Sequence, residues 1–201
     1  MSIALSSDQQ DLLRGRSVIV GVSGGIAAYK VCQVVSTLTQ NATDVTVLMT
    51  ESATRFVSAM TFQALSGNPV YTSVWEHKES NDPQHVGLAR RADAMLIAPC
   101  TMDTLARLAQ GLVSDPVTLV CSAIDRARQP VLVAPSMNAV MWSQRSTQRN
   151  VEQLREDGFQ IVEPTEGWQA CRTEGLGRMP EPEDLIGSLC DALDSRIESS
   201  S

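Results

Sequence analysis

The chain has 201 residues, 43% of them hydrophobic and 19% charged, with a formal net charge of -7 at pH 7. That length and apolar content suit one domain with a sizeable core. The acidic balance argues against a surface built for nucleic acid or anionic membrane, so any phosphate must be held by local backbone and hydroxyl donors. No apolar run approaches the roughly 18 residues that cross a bilayer. Five cysteines, Cys32, Cys100, Cys121, Cys171 and Cys190, are odd in number and widely spaced. They fit neither a disulfide framework nor a zinc site, so no metal is expected and a reducing cytoplasm is.

In chain order, residues 1–16 are polar, lack a signal-peptide core and read as a disordered lead-in. A first strand, Ser17 to Val22, precedes a helix with Val31, Val34, Val35 and Leu38 at helical spacing. A second strand, Val45 to Met49, is followed by a mostly helical stretch from Thr50 to Gly67 and an irregular loop from Asn68 to Gln84. A third strand, Ala94 to Ala98, leads into two helices, one carrying Leu105 and Leu108, the other Val117 and Cys121. The strand Val131 to Ala134 precedes an amphipathic helix ending near Gly158, and Gln160 to Val162 is the last short strand. A closing helix runs from about Pro182 to Leu193, and residues 194–201 form a serine-rich frayed tail. Strands alternating with helices predict an α/β fold over 17–193, a single open parallel sheet with helices on both faces, Rossmann-like or flavodoxin-like.

In such a sheet the carboxyl ends of the strands share one edge, where ligands bind. Pro135-Ser136-Met137-Asn138-Ala139-Val140-Met141-Trp142 starts at that edge and combines an amide with thioethers and an indole. Asn138 there can donate to a carboxylate while Met141 and Trp142, three and four residues on, exclude water; the alternative is a turn whose Met and Trp fill the core. Gly24 and Gly25 open a helix and suit either a phosphate or a tight structural turn, since neither the dinucleotide glycine pattern nor a P-loop is complete. Thr50, Ser52 and the run Thr101-Met102-Asp103-Thr104 add donors, with helix capping as the competing role. His85 precedes the third strand, whereas His77 sits in a charged loop and reads as solvated. The segment from Gln169 to Met179 has no helical or strand period and reads as a mobile flap, in which Cys171 beside Arg172 suits a reactive thiol or an incidental one.

Together these residues resemble the homo-oligomeric flavin-containing cysteine decarboxylases, and within them the phosphopantothenoylcysteine decarboxylases. The resemblance spans roughly Ser17 to Leu193. It is carried by Ser23 to Lys30, the histidine before Ala92-Asp93, Ala98-Pro99, the Pro-x-Met-Asn-x-x-Met-Trp run, Ala170-Cys171 and Gly177-Arg178-Met179. It implies an FMN site formed by Gly25, Ile26, Ala27, Thr50, Ser52, Thr101, Met102, Asp103, Thr104 and Ser136. It implies catalytic roles for His85, Asn138 and Cys171, with Asn138, Ala170 and Met179 binding substrate. The activity implied is decarboxylation of phosphopantothenoylcysteine to phosphopantetheine in coenzyme A biosynthesis. Alternatives are oxidative decarboxylation of a peptide's C-terminal cysteine and a non-catalytic flavin-binding regulatory subunit. Self-association to a trimer, stacked into a dodecamer, and a separate synthetase as partner are also implied. Two positions depart from the family pattern: Asp103 stands where an amide is expected, and Arg172 where a glycine is.

Overall fold

The computed structural model describes residues 3–75 and 84–200. The chain opens with α1 (Ser7–Leu13), followed by β1 (Ser17–Val22), α2 (Ala28–Gln40) and β2 (Asp44–Met49). A 3-10 turn (Glu51–Arg55), α3 (Ala59–Ser66), α4 (Gln84–Arg91), β3 (Ala94–Cys100), α5 (Met102–Ala109) and α6 (Pro116–Ser122) come next. After β4 (Val131–Pro135) come α7 (Ala139–Trp142), α8 (Arg145–Glu156), β5 (Gln160–Ile161), the strands β6 (Thr165–Trp168) and β7 (Glu174–Arg178), and α9 (Pro182–Ser200).

Strands β1 to β5 form one parallel sheet in the order β2-β1-β3-β4-β5. Alternate residues of these continuous apolar strands point to opposite faces, so the sheet builds two cores. Val18, Val20, Val47, Leu96 and Leu132 pack with Val31, Val34 and Leu189 from α2 and α9. Ile19, Met95, Ile97 and Val133 pack on the other face with Leu105, Val117 and Leu154 from α5, α6 and α8. The order reverses between β1 and β3, which opens a crevice at their carboxyl ends.

Four expectations change. The lead-in is not wholly disordered: Ser6 and Gln9 form a reciprocal capping box that starts α1, and Leu13 anchors it in the core. The stretch from Thr50 to Gly67 breaks in two because the Ser58 hydroxyl accepts from Met60 N and begins a new helix, closed by Gly67 at φ 73. The last helix continues through the expected tail to Ser200. The flap is an antiparallel hairpin, β6 with β7. His77 and the rest of residues 76–83 within the 68–84 loop lie outside the described residues, but Tyr71 pairs with β2, donating to Val47 O and accepting from Met49 N.

Candidate active site

The crevice is assembled by hydrogen bonds between strand ends. Thr50 N donates to Val22 O over 3.0 Å, joining the ends of β2 and β1. Buried Ser23 Oγ donates to Pro99 O over 2.7 Å and accepts from Thr101 N over 2.9 Å, joining β1 to β3. Ser136 N donates to Cys100 O over 2.9 Å, which brings in β4. Thus Gly25, Ile26, Ala27, Thr50, Ser52, Thr101, Thr104 and Ser136 share one edge.

The local geometry fits an anionic cofactor. The first turn of α2 has no side-chain cap, so its amides keep their positive end toward the crevice. A Cβ on Gly24 would stand 2.4 Å from Ser52 Oγ, so only glycine lets the turn and the β2 end approach this closely. Beside them lies an open depression of about 390 Å³ lined by Thr50, Ser52, Arg55, Asp103, Arg107 and Ser114, with Glu51 and Asp115 at its walls. Thr50 caps the 3-10 turn and Thr101 caps α5, so each combines a capping role with a hydroxyl at the crevice. Met102 opens α5 half-buried, and Thr104 is buried behind it. Asp103 is exposed and turned to Arg107, whose Nε lies 2.8 Å from Oδ2. That partner neutralises the carboxylate that stands where the family pattern has an amide, and the same contact raises the Arg107 pKa.

The second group gathers where β4 ends. Asn138 is the N-cap of α7: its Oδ1 accepts from Val140 N over 2.8 Å, which turns Nδ2 outward. Cys171 Sγ lies 3.0 Å from that Nδ2 and 3.0 Å from Thr173 Oγ1. The Thr173 hydroxyl, then the Asn138 amide, hold the Cys171 thiol below its usual range. Burial acts the other way on Cys100 and Cys121, raising Cys121 to about 12, so these are inert core thiols. The hairpin docks by close backbone approach: Met137 N donates to Gly177 O over 2.9 Å, and a Cβ on Gly177 would stand 2.3 Å from Met137 O. Arg172 adopts φ 64, the left-handed conformation for which the family pattern has glycine.

Other expected residues fall elsewhere. Met179 is 1% exposed and packs in the core with residues of α9. Trp142 is buried in the second core, beneath α8, and is core filler rather than a pocket wall; Met141 is exposed. Ala170 is exposed beside Cys171. His85 lies in the first turn of α4, a helix that packs against α6, whereas the hairpin packs against α7. Sequence reasoning missed Ser23, Thr173 and Gln169. A hydroxyl two places from a cysteine was the available signal for Thr173, but Gln169 acts through contacts 30 and 31 residues away.

The Flavoprotein family model matches residues 6–194. The chain belongs to the Flavoprotein family. It is 42% identical over 175 residues to the coenzyme A biosynthesis bifunctional protein CoaBC of Bacillus subtilis, covering 87% of this chain and 42% of that protein. It is 45% identical over 170 residues to the protein of the same name from Mycolicibacterium smegmatis, covering 85% of this chain and 40% of that one. The chain therefore spans under half the length of these curated relatives. Among solved structures, the FMN-dependent cysteine decarboxylase SpaF is 32% identical with a TM-score of 0.77, covering 92% of this chain and 99% of that one. A PPC decarboxylase mutant complexed with pantothenoylaminoethenethiol is 28% identical with a TM-score of 0.79, covering 94% and 100%.

Proposed function

We propose that this chain is an FMN-dependent decarboxylase of phosphopantothenoylcysteine, yielding phosphopantetheine in coenzyme A biosynthesis. The observation that carries it is the Asn138 amide 3.0 Å from the Cys171 thiol, at the strand edge that also carries the glycine turn. The names of the CoaBC relatives and of the PPC decarboxylase structure support the substrate, and SpaF's name supports the cofactor.

Gly25, Ile26 and Ala27 are assigned to the FMN phosphate, and Thr50, Ser52, Thr101 to Thr104 and Ser136 to the rest of the cofactor. FMN, when bound, supplies a two-electron sink for the thiol-bearing carbon of the substrate and returns the pair, so carbon dioxide is exchanged for a proton overall. Asn138 grips the departing carboxylate with an N–H but no full positive charge, which would oppose its loss. Ala170 lies beside the bound substrate, and Cys171 gives its proton to the enethiol left by decarboxylation. His85 is assigned to the oxidative step from a neighbouring copy of the chain, because α4, which carries it, packs on α6 whereas the Cys171 hairpin packs on α7. A trimer, stacked into a dodecamer, supplies such copies, and exposed Ile26, Tyr29, Phe56 and Met60 offer apolar surface to bury. A phosphopantothenoylcysteine synthetase provides the substrate, and the cytoplasm is the setting.

Oxidative decarboxylation of a peptide's C-terminal cysteine is the second reading, favoured by the likeness to SpaF and opposed by Cys171, which equips the site to complete the reduction. Incubating the FMN-reconstituted protein with phosphopantothenoylcysteine and with a cysteine-ended peptide separates the two by product mass. Loss of carbon dioxide alone from the first substrate is expected. Turnover of the peptide only, with loss of two further hydrogens, refutes the assignment.

A further inference from the structure

Gln169 follows β6 and is 8% exposed, a degree of burial that a side chain with two hydrogen-bonding ends tolerates only when both are matched. Its backbone closes the turn carrying Cys171: Gln169 N donates to Thr173 O over 2.8 Å, and Gln169 O accepts from Arg172 N over 2.9 Å. Its side chain reaches out of the hairpin to the start of α7. Oε1 accepts from Asn138 Nδ2 at 3.3 Å and from Ala139 N at 3.1 Å, and Cys171 Sγ lies 3.6 Å away. Nε2 donates to Gly175 O on β7 over 3.3 Å.

These contacts fix the orientation of the Asn138 amide. Oδ1 is committed to Val140 N, leaving two N–H groups, one on Gln169 Oε1 and one on Cys171 Sγ. Turning the amide over would set its oxygen against Gln169 Oε1 and its N–H groups against Val140 N. We infer that Gln169 is a positioning residue: it holds Asn138 with one N–H toward the substrate and keeps Cys171 beside it, an inference that rests on the decarboxylase reading. An incoming carboxylate takes the N–H now directed at Cys171 Sγ, while the other stays on Gln169, so the amide does not swing as substrate binds.

The test uses FMN-reconstituted protein and the variants Gln169→Met and Gln169→Leu, which keep apolar bulk and remove both hydrogen-bonding ends. The first readout is steady-state kinetics with phosphopantothenoylcysteine. The expected result is about a tenfold fall in kcat/KM, mostly in KM, as befits one lost substrate-orienting hydrogen bond. The second is the pH dependence of Cys171 alkylation by iodoacetamide, followed on the Cys171 peptide by mass spectrometry. Losing a well-placed Asn138 donor destabilises the thiolate, so the inflection moves to higher pH, and adding Asn138→Ala to Gln169→Met moves it no further. A purely structural role would lower thermal stability without merging the two residues' effects. An unchanged inflection in both Gln169 variants while Asn138→Ala shifts it, or shifts that add in the double variant, overturns the inference. The alkylation readout needs no turnover, so a wild-type protein that fails to decarboxylate refutes the function while leaving this test intact.

Discussion

Cys171 owes its depressed pKa first to the Thr173 hydroxyl and then to the Asn138 amide, both of which favour the thiolate. A proton donor is competent only while it carries its proton, so the protonation step should weaken as pH rises through the folded pKa. Thr173→Val removes the leading donor and raises that pKa, so the falling limb of the pH–rate profile is expected to move to higher pH. An unmoved limb would show that another group limits the step. At the opposite end of the site, Gly24→Ala places a Cβ 2.4 Å from Ser52 Oγ and 2.8 Å from its carbonyl carbon. Backbone must then shift, a displacement of a kind that costs about 1–3 kcal/mol. FMN titration by fluorescence quenching should show roughly ten- to hundredfold weaker binding, whereas wild-type affinity would place the cofactor away from this turn.

At the scale of elements, the hairpin and the sheet differ in how they are held. The five strands were legible in the sequence to within two residues at each end, the inner ones β1, β3 and β4 because burial on both faces makes them nearly continuous apolar runs with turns around them. The hairpin was not. β6 and β7 pair with each other, only β7 packs on α7, most of their residues are exposed, and both contain glycine, so no alternation marks them. The Asn138 and Cys171 signals were legible as residue types in a specific run, while the link between them depends on a hydrogen-bond network through Gln169 that no spacing encodes. Similarly, α1 was hidden because its cap is polar and its buried anchor is Leu13. Gly177→Ala should undock the hairpin, since its Cβ meets Met137 O; decarboxylation is expected to fall far more than FMN binding, and loss of both together would indicate global unfolding instead. The end of the hairpin is tied down electrostatically as well. Lys30 Nζ lies 2.8 Å from Glu181 Oε2, and Arg178 also pairs with Glu181. Lys30 chiefly lowers the Glu181 pKa, so this contribution is complete above the unfolded carboxylate value near 4.3 and is lost as pH falls through the folded one. Lys30→Met is therefore expected to lower thermal stability at pH 7 and to match wild type once Glu181 is protonated, as scanning calorimetry across pH would show.

Over the whole molecule, one sheet edge carries the glycine turn, the hydroxyls and Asn138, whereas His85 belongs to α4, which packs on α6. On the proposed reading the site is completed across an interface, for which exposed Ile26, Tyr29, Phe56 and Met60 offer apolar surface. Light scattering should give a trimer or a multiple of it, and Met60→Glu should reduce the assembly and FMN retention together; a fully active monomer would contradict the shared site. The most direct measurement is the product mass from FMN-reconstituted Cys171→Ser given phosphopantothenoylcysteine in a single turnover. The expected product has lost carbon dioxide and two further hydrogens, the enethiol left when no thiol delivers the final proton. A saturated product formed at the wild-type rate would show that Cys171 is not the donor and that the pair it forms with Asn138 is not the centre of the chemistry.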